Sequence, residues 1–95
     1  MPETFTVEKE MATDRREFRR TLRRALSEAQ IGEDGDTITV REGDGTLEIT
    51  LSNDRERGIG LLKLPVLTAR FHYSGYDDPA AHLARLDISF QRGGG

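Results

Sequence analysis

Six arginines stand in three pairs set four residues apart, Arg15/Arg16, Arg19/Arg20 and Arg23/Arg24, with Glu17 the one acid among them. A guanidinium offers its donors in a planar fork that matches a carboxylate or a phosphate bidentately, so these are the residues best suited to grip an anionic partner. The spacing asks for a helix, because residues four apart return to one face at 3.6 residues per turn. Residues 15–24 carry a net charge of +5, the rest of the chain −8 and the whole −3. That asymmetry describes a surface rather than a reaction.

The other chemistry-bearing residues are sparse. His72 and His82 are the only histidines and cysteine is absent, so thiolate metal sites and disulfides are excluded. Neither HExxH nor a calcium-loop spacing occurs, and both histidines are expected as ordinary surface residues without a metal. Ser74 lies near His72, Asp77 and Asp78, but neighbours on a strand and a turn do not point at one another, and no Gly-x-Ser-x-Gly elbow surrounds the serine. Gly58-Ile59-Gly60 lacks the third glycine and the lysine of a phosphate loop. No cofactor motif is present, and the expectation is a protein that is not an enzyme.

The elements that position these residues are punctuated clearly. Residues 5–9 alternate Phe5 and Val7 with Thr6 and Glu8, which predicts a strand. Asp14 as N-cap with Glu17 three residues on predicts a helix over 14–30 that opens with a capping box and stops at Gly32. Its apolar stripe is Phe18, Leu22, Ala25, Leu26 and Ala29, beside a continuous arc of arginine. Arg19 and Arg23, read as exposed charges, are each expected to contribute well under about 1 kcal/mol to stability. Asp34-Gly35 is expected to close the loop after the helix. Asp44-Gly45 separates two alternating runs, 37–41 and 46–52, and predicts a hairpin whose turn has φ > 0 at both central residues. The polar stretch 53–58 reads as a turn. Pro65, within 59–73, marks an edge, a bend or a bulge. Beyond it Leu67, Ala69, Phe71 and Tyr73 share one face.

At the C-terminal end, Asp78 as N-cap and Pro79 at the first helical position predict a helix over 79–91 that carries Leu83, Leu86 and Phe90 on one side. The alternation of 86–90 competes with this reading and favours a strand. The expected fold is therefore an α+β two-layer sandwich: a mainly antiparallel sheet of about four strands, one long amphipathic helix and a C-terminal helix. The alternative is a ferredoxin-like βαββαβ with a C-terminal strand over 86–91. The uncovered sheet face would carry Thr37, Thr39, Arg41, Glu48, Thr50, Thr68, Arg70 and His72, making Arg41, Arg70 and His72 a second candidate binding surface.

Composition bounds the remaining classes. Ninety-five residues, 35% hydrophobic and 33% charged, suit a single domain over 1–92 with a flexible glycine tail at 93–95. No run reaches the length of a membrane span, and no basic-then-apolar leader opens the chain, which is expected to be cytoplasmic and free of membrane partners. Twelve arginines against two lysines also fit a GC-rich, bacterial-like coding bias. The terminal Arg92-Gly93-Gly94-Gly95 resembles the tails of ubiquitin-like proteins and small sulfur carriers. That resemblance implies activation of a terminal carboxylate, although those families open with a hairpin and then a helix, whereas this chain opens strand–helix. Three function classes follow: a module binding an acidic protein through Arg15, Arg16, Arg19, Arg20, Arg23 and Arg24, a nucleic-acid-binding module using the same face or the polar sheet face, and a tail-activated carrier. An acidic overall balance and the lack of aromatics among the arginines put the first ahead of the second.

Overall fold

The computed structural model describes residues 4–59 and 62–93, with side chains described for 4–52 and 66–91. The elements are β1 (Thr4–Met11), α1 (Arg15–Ala25), β2 (Gln30–Asp34), β3 (Thr37–Glu42), β4 (Gly45–Ile59), β5 (Leu62–Ser74) and α2 (Pro79–Gly93). The strands make one antiparallel sheet in the order β1-β5-β4-β3-β2, and both helices pack on the same face of it. This is the two-layer α+β sandwich expected from the alternating strands, with five strands rather than four.

Register explains the layering. Two inner rows cross the sheet, Phe5–Tyr73–Leu47–Val40–Ile31 and Val7–Phe71–Ile49–Ile38–Glu33. The residues of the three central strands in these rows are fully buried, while Phe5, Val7 and Ile31 on the edge strands are half-buried. The helices complete the core with Phe18, Leu22, Leu83 and Leu86, and the Phe18 ring stacks on Phe90 of α2 at 4.8 Å. On the other face the rows are polar throughout, including Thr6–His72–Glu48–Thr39 and Glu8–Arg70–Thr50–Thr37. All eight residues expected on this open face lie there.

Several expectations are corrected. The N-terminal helix ends at Ala25 rather than near residue 30, and 30–34 form an edge strand with Gly32 inside it. Only Ile31 gives this segment an apolar position, so no alternation announces it. It becomes a strand because β3 offers an unpaired edge and Ile31 can cover the core opposite Val40. Ala25 consequently faces solvent, and Thr21 takes its place beside Phe18 and Leu22. The Asp14 carboxylate accepts from the Glu17 N–H at 2.8 Å, but Glu17 turns its own carboxylate to Arg20, leaving the capping box half made. Both tight turns are shifted by one residue: the loops are Gly35-Asp36 and Gly43-Asp44, with φ of +61° at Gly35 and +58° at Gly43 and no positive φ at either aspartate. A positive φ at the first loop residue alone is the signature of type II′, where glycine must lead.

The stretch 53–58 is not a turn, because β4 runs through it to Ile59. Pairing of β4 with β3 ends at Thr37↔Thr50 and pairing of β5 with β1 ends at Met11↔Leu67, yet β4 and β5 stay paired as far as Ile59↔Leu62. A register shift between Ser52 and Arg55 starts this two-stranded extension. Pro65 sits within it, where among the described residues no third strand pairs with β5 and its missing donor is tolerated. At the C-terminus α2 is continuous, and the strand alternative for 86–91 does not hold. Ile88, which a strand would place on one face with Leu86 and Phe90, is 52% exposed while Leu86 is 2% exposed. Gly93 closes α2, whereas residues 94 and 95 of the expected tail lie outside the described residues.

Leu22 is fully buried and Leu26, past the helix end, only half-buried. Leu22→Ala is therefore expected to destabilise by about 2–4 kcal/mol and Leu26→Ala by clearly less. Urea unfolding of both variants checks the depth of the stripe.

Candidate functional site

Helix periodicity sorts the six arginines into two columns. Arg15, Arg19 and Arg23 lie on the flank of α1 that overlooks the β2–β3 hairpin. Arg15 pairs with Asp36, Arg19 with Glu33 at 2.8 Å and with the Gly35 carbonyl at 3.2 Å, and Arg23 also with Glu33. Arg16, Arg20 and Arg24, one position further round, point to solvent. Arg20 reaches Glu17 at 2.7 Å within the helix, and Arg16 and Arg24 have no partner among the described residues. The structure thus divides what the sequence presents as one arginine face. The inner column holds the helix to the sheet, and in the outer column Arg16 and Arg24 have no partner among the described residues.

Glu33 explains the inner column. It occupies the edge-strand end of an inner row, opposite Ile38, and its side chain is only 28% exposed. A carboxylate so placed needs cations, and two guanidiniums supply them. The opposite edge repeats the device with the signs exchanged: Lys9 of β1 lies inward beside Ala69 and pairs with Asp87 of α2.

The second candidate surface is mixed in charge. Arg41, Arg70 and His72 do share the open face, but Glu8, Glu48 and Asp34 lie among them, and the described residues of that face include no Phe, Tyr or Trp. His72 Nδ1 and the Thr6 hydroxyl are bonded at 2.7 Å across the β1–β5 pair. Arg41 and Arg70 are exposed and have no partner among the described residues.

His82 is not the surface histidine expected. It is 8% exposed and sits in a polar cluster beneath the start of α2. Its Nε2 is 2.8 Å from Glu42 Oε1, its Nδ1 is 2.9 Å from the Tyr73 hydroxyl, and the Tyr76 hydroxyl donates to the same Glu42 oxygen at 2.9 Å. The three rings meet edge to face. With a neutral imidazole protonated at Nε2, one direction of donation satisfies every member: Tyr73 to His82, His82 to Glu42, and Tyr76 to Glu42. Burial above all, then the Tyr76, Asp87 and Glu42 charges, pushes the Tyr73 phenol well above the ordinary tyrosine range; burial and the bond to Glu42 do the same for Tyr76. Carboxylate, imidazole and hydroxyl therefore stand in line. The hydroxyl, however, is sealed in the core and resists ionisation, the reverse of an activated nucleophile.

Two sequence signals point to this cluster. Tyr73 shares the core face with Phe71, and a buried tyrosine hydroxyl requires a partner. His82 lies four residues before Leu86 and so on the inner side of α2. Among the described residues no group of three or more His, Cys, Asp or Glu side chains is arranged to hold a metal ion, and no helix is long and apolar enough to cross a membrane. No protein-family model matches the chain, and no curated protein or solved structure is significantly similar to it.

Removing both inner arginines, Arg19→Ala with Arg23→Ala, leaves the partly covered Glu33 carboxylate unpaired. The expected cost is about 1–3 kcal/mol, between a surface pair and a fully buried one, and larger than exposure alone implies. Adding Glu33→Gln is expected to recover part of it, and Arg16→Ala or Arg24→Ala to stay within about 0.5 kcal/mol of the parent. A double-mutant cycle in urea decides.

The tyrosines set an alkaline limit. Their folded-state values lie above the ordinary value near 10, so the unfolded chain gives up its phenolic protons first. Their contribution to stability is complete below about pH 10 and is lost as pH rises from there through the folded-state values. Urea midpoints measured across pH 9–12 are expected to fall, and to fall less steeply in Tyr76→Phe.

Proposed function

We propose that the chain is a non-catalytic binding module that engages an acidic segment of a protein partner through Arg16, Arg20 and Arg24. The observation that carries this reading is the division of the arginines. Internal acids occupy the inner column, whereas the outer column is exposed and two of its three members have no partner among the described residues. A helix rises 1.5 Å per residue, so these guanidiniums repeat at about 6 Å over about 12 Å. Carboxylates four apart on an acidic helix repeat at the same distance, and those two apart on an extended strand at about 6.8 Å. Arginine forks suit such carboxylates bidentately.

Nucleic acid fits less well. Three phosphate contacts on duplex DNA give a log–log salt slope of only about −2.7, which leaves little affinity at physiological salt. The test compares the parent, Arg16→Glu/Arg20→Glu/Arg24→Glu and Arg15→Ala/Arg19→Ala/Arg23→Ala, each with its unfolding curve. The outer triple is expected to lose capture of an acidic protein from native lysate and binding of a labelled poly-glutamate peptide while melting like the parent. The inner triple is expected to lose stability first. Tight duplex-DNA binding at physiological salt, abolished by the outer triple, sinks the protein-partner reading.

A further inference from the structure

Among the described residues, one cleft combines apolar walls with a carboxylate and a guanidinium that make no ion pair with each other. It lies where the end of α1 meets α2 beside the end of β3, encloses about 300 Å³, and is walled by Ala25, Leu26 and Leu86 with Glu42, His82 and Arg85 at its polar side. The comparable cleft between β1 and the two helices differs, because its Lys9 and Asp87 pair with each other and its Glu17 pairs with Arg20. In the α1–α2 cleft, Glu42 accepts its two bonds on Oε1, and no described residue bonds its Oε2. The carboxylate is therefore anchored through Oε1 by Tyr76 and His82, while Glu42 lines the cleft with its side chain 35% exposed. Arg85, an exposed residue of α2, has no ion-pair partner among the described residues.

We propose that this cleft binds a small zwitterion of the α-amino-acid class, with its ammonium on Glu42 Oε2, its carboxylate on Arg85 and an apolar side chain against Leu26 and Leu86. The charge pattern selects the class. A ligand carrying only a cation would meet Arg85, one carrying only an anion would meet Glu42, and a neutral one would leave both charges unanswered in a partly desolvated cleft. The volume lies at the lower end of ligand cavities, which suits a molecule of this size. The carboxylate is also preorganised, since two hydrogen bonds fix it before any ligand arrives and little ordering is left to binding. This site is independent of the arginine column.

The test is a titration of the full chain, followed by amide NMR, with L-leucine, with isopentylamine and with 4-methylpentanoate, which share one branched skeleton and differ in charge. L-Leucine is expected to give saturable shifts at Leu26 and Leu86, with either single-charge analogue at least about tenfold weaker, as loss of one charge-assisted contact implies. Glu42→Gln keeps an acceptor for Tyr76 and His82 but removes the charge. Arg85→Ala removes a side chain on which no described contact depends. Each is expected to weaken leucine about tenfold, Arg85→Ala without moving the melting midpoint. Absence of saturable shifts up to about 20 mM leucine overturns the proposal. So does equal binding of the amine alone, or leucine binding indifferent to Arg85→Ala. Should Glu42→Gln unfold the chain, the Arg85→Ala comparison and the analogue series decide by themselves.

Discussion

The sheet is wider than its helices, and that mismatch dictates where charge must enter the layer between them. Helices of eleven and fifteen residues seal the inner faces of β3, β4 and β5, but the edge strands reach beyond their cover. An apolar side chain at the rim of the layer would be half wet. Phe5, Val7 and Ile31 are half-buried in this way, while Glu33 on one edge and Lys9 on the other place charge there, each answered from above, by Arg19 and Arg23 or by Asp87. Inward-facing charge also makes each edge a poor template for further strand pairing. Each helix is thereby tied to the edge it overlooks, α1 to β2 and α2 to β1.

This constraint changes what an arginine-rich helix means. Arginines at positions i and i+4 on the inner flank are structural, because a long side chain with a planar head can span from the helix to the edge strand while its stem covers apolar surface. Arginine also recurs one position round the helix, where there is no edge to reach. Function is therefore sought in the outer column, not in the arginine count. The cluster around His82 follows a parallel logic: burying the end of a Tyr-rich turn beneath α2 requires donors and acceptors to match one by one, and Glu42 closes the chain of bonds with one oxygen to spare.

Much of the fold was legible in the residues. Alternation placed Ile38, Val40, Leu47, Ile49, Leu51, Leu67, Ala69, Phe71 and Tyr73 on the inner face and Thr, Arg and Glu on the outer, and register agrees at each. Asp14 and Asp78 marked both helix starts, and Asp78 accepts from the Ala81 N–H at 3.1 Å. The hidden features depended on partners distant in sequence. The strand at 30–34 has one apolar residue and exists because β3 needed a neighbour. The helix therefore stops well short of residue 30, and the turn that looked like a loop after it closes a hairpin. The two fates of the arginines were hidden for the same reason, since nothing near residues 15–24 announces that Glu33 and Asp36 lie overhead. His82 was more accessible: its spacing from Leu86 places it on the inner side of α2 beside Tyr73, although it reads as an ordinary surface histidine when taken alone.

Preference for an acidic protein over nucleic acid rests on range. At physiological ionic strength charges are screened over about 8 Å, so a ligand on the outer column responds to the arginines beneath it and little to the acids beyond. Glu8, Glu48 and Asp34 lie on the far face of the sheet, with the core between them and α1. A short acidic segment spanning the column would meet Arg16 and Arg24 without a described partner, with Glu17 on Arg20 as the opposing charge between them. A duplex cannot be so selective: its phosphates continue past the ends of an eleven-residue helix, and cations further along would have to answer them. The inner arginines are unable to supply those cations without releasing Glu33 and Asp36, and the free Arg41 and Arg70 face the other way. The charge that holds the helix to its sheet is thus withdrawn from any ligand, and the proposed partner has only the outer column to engage.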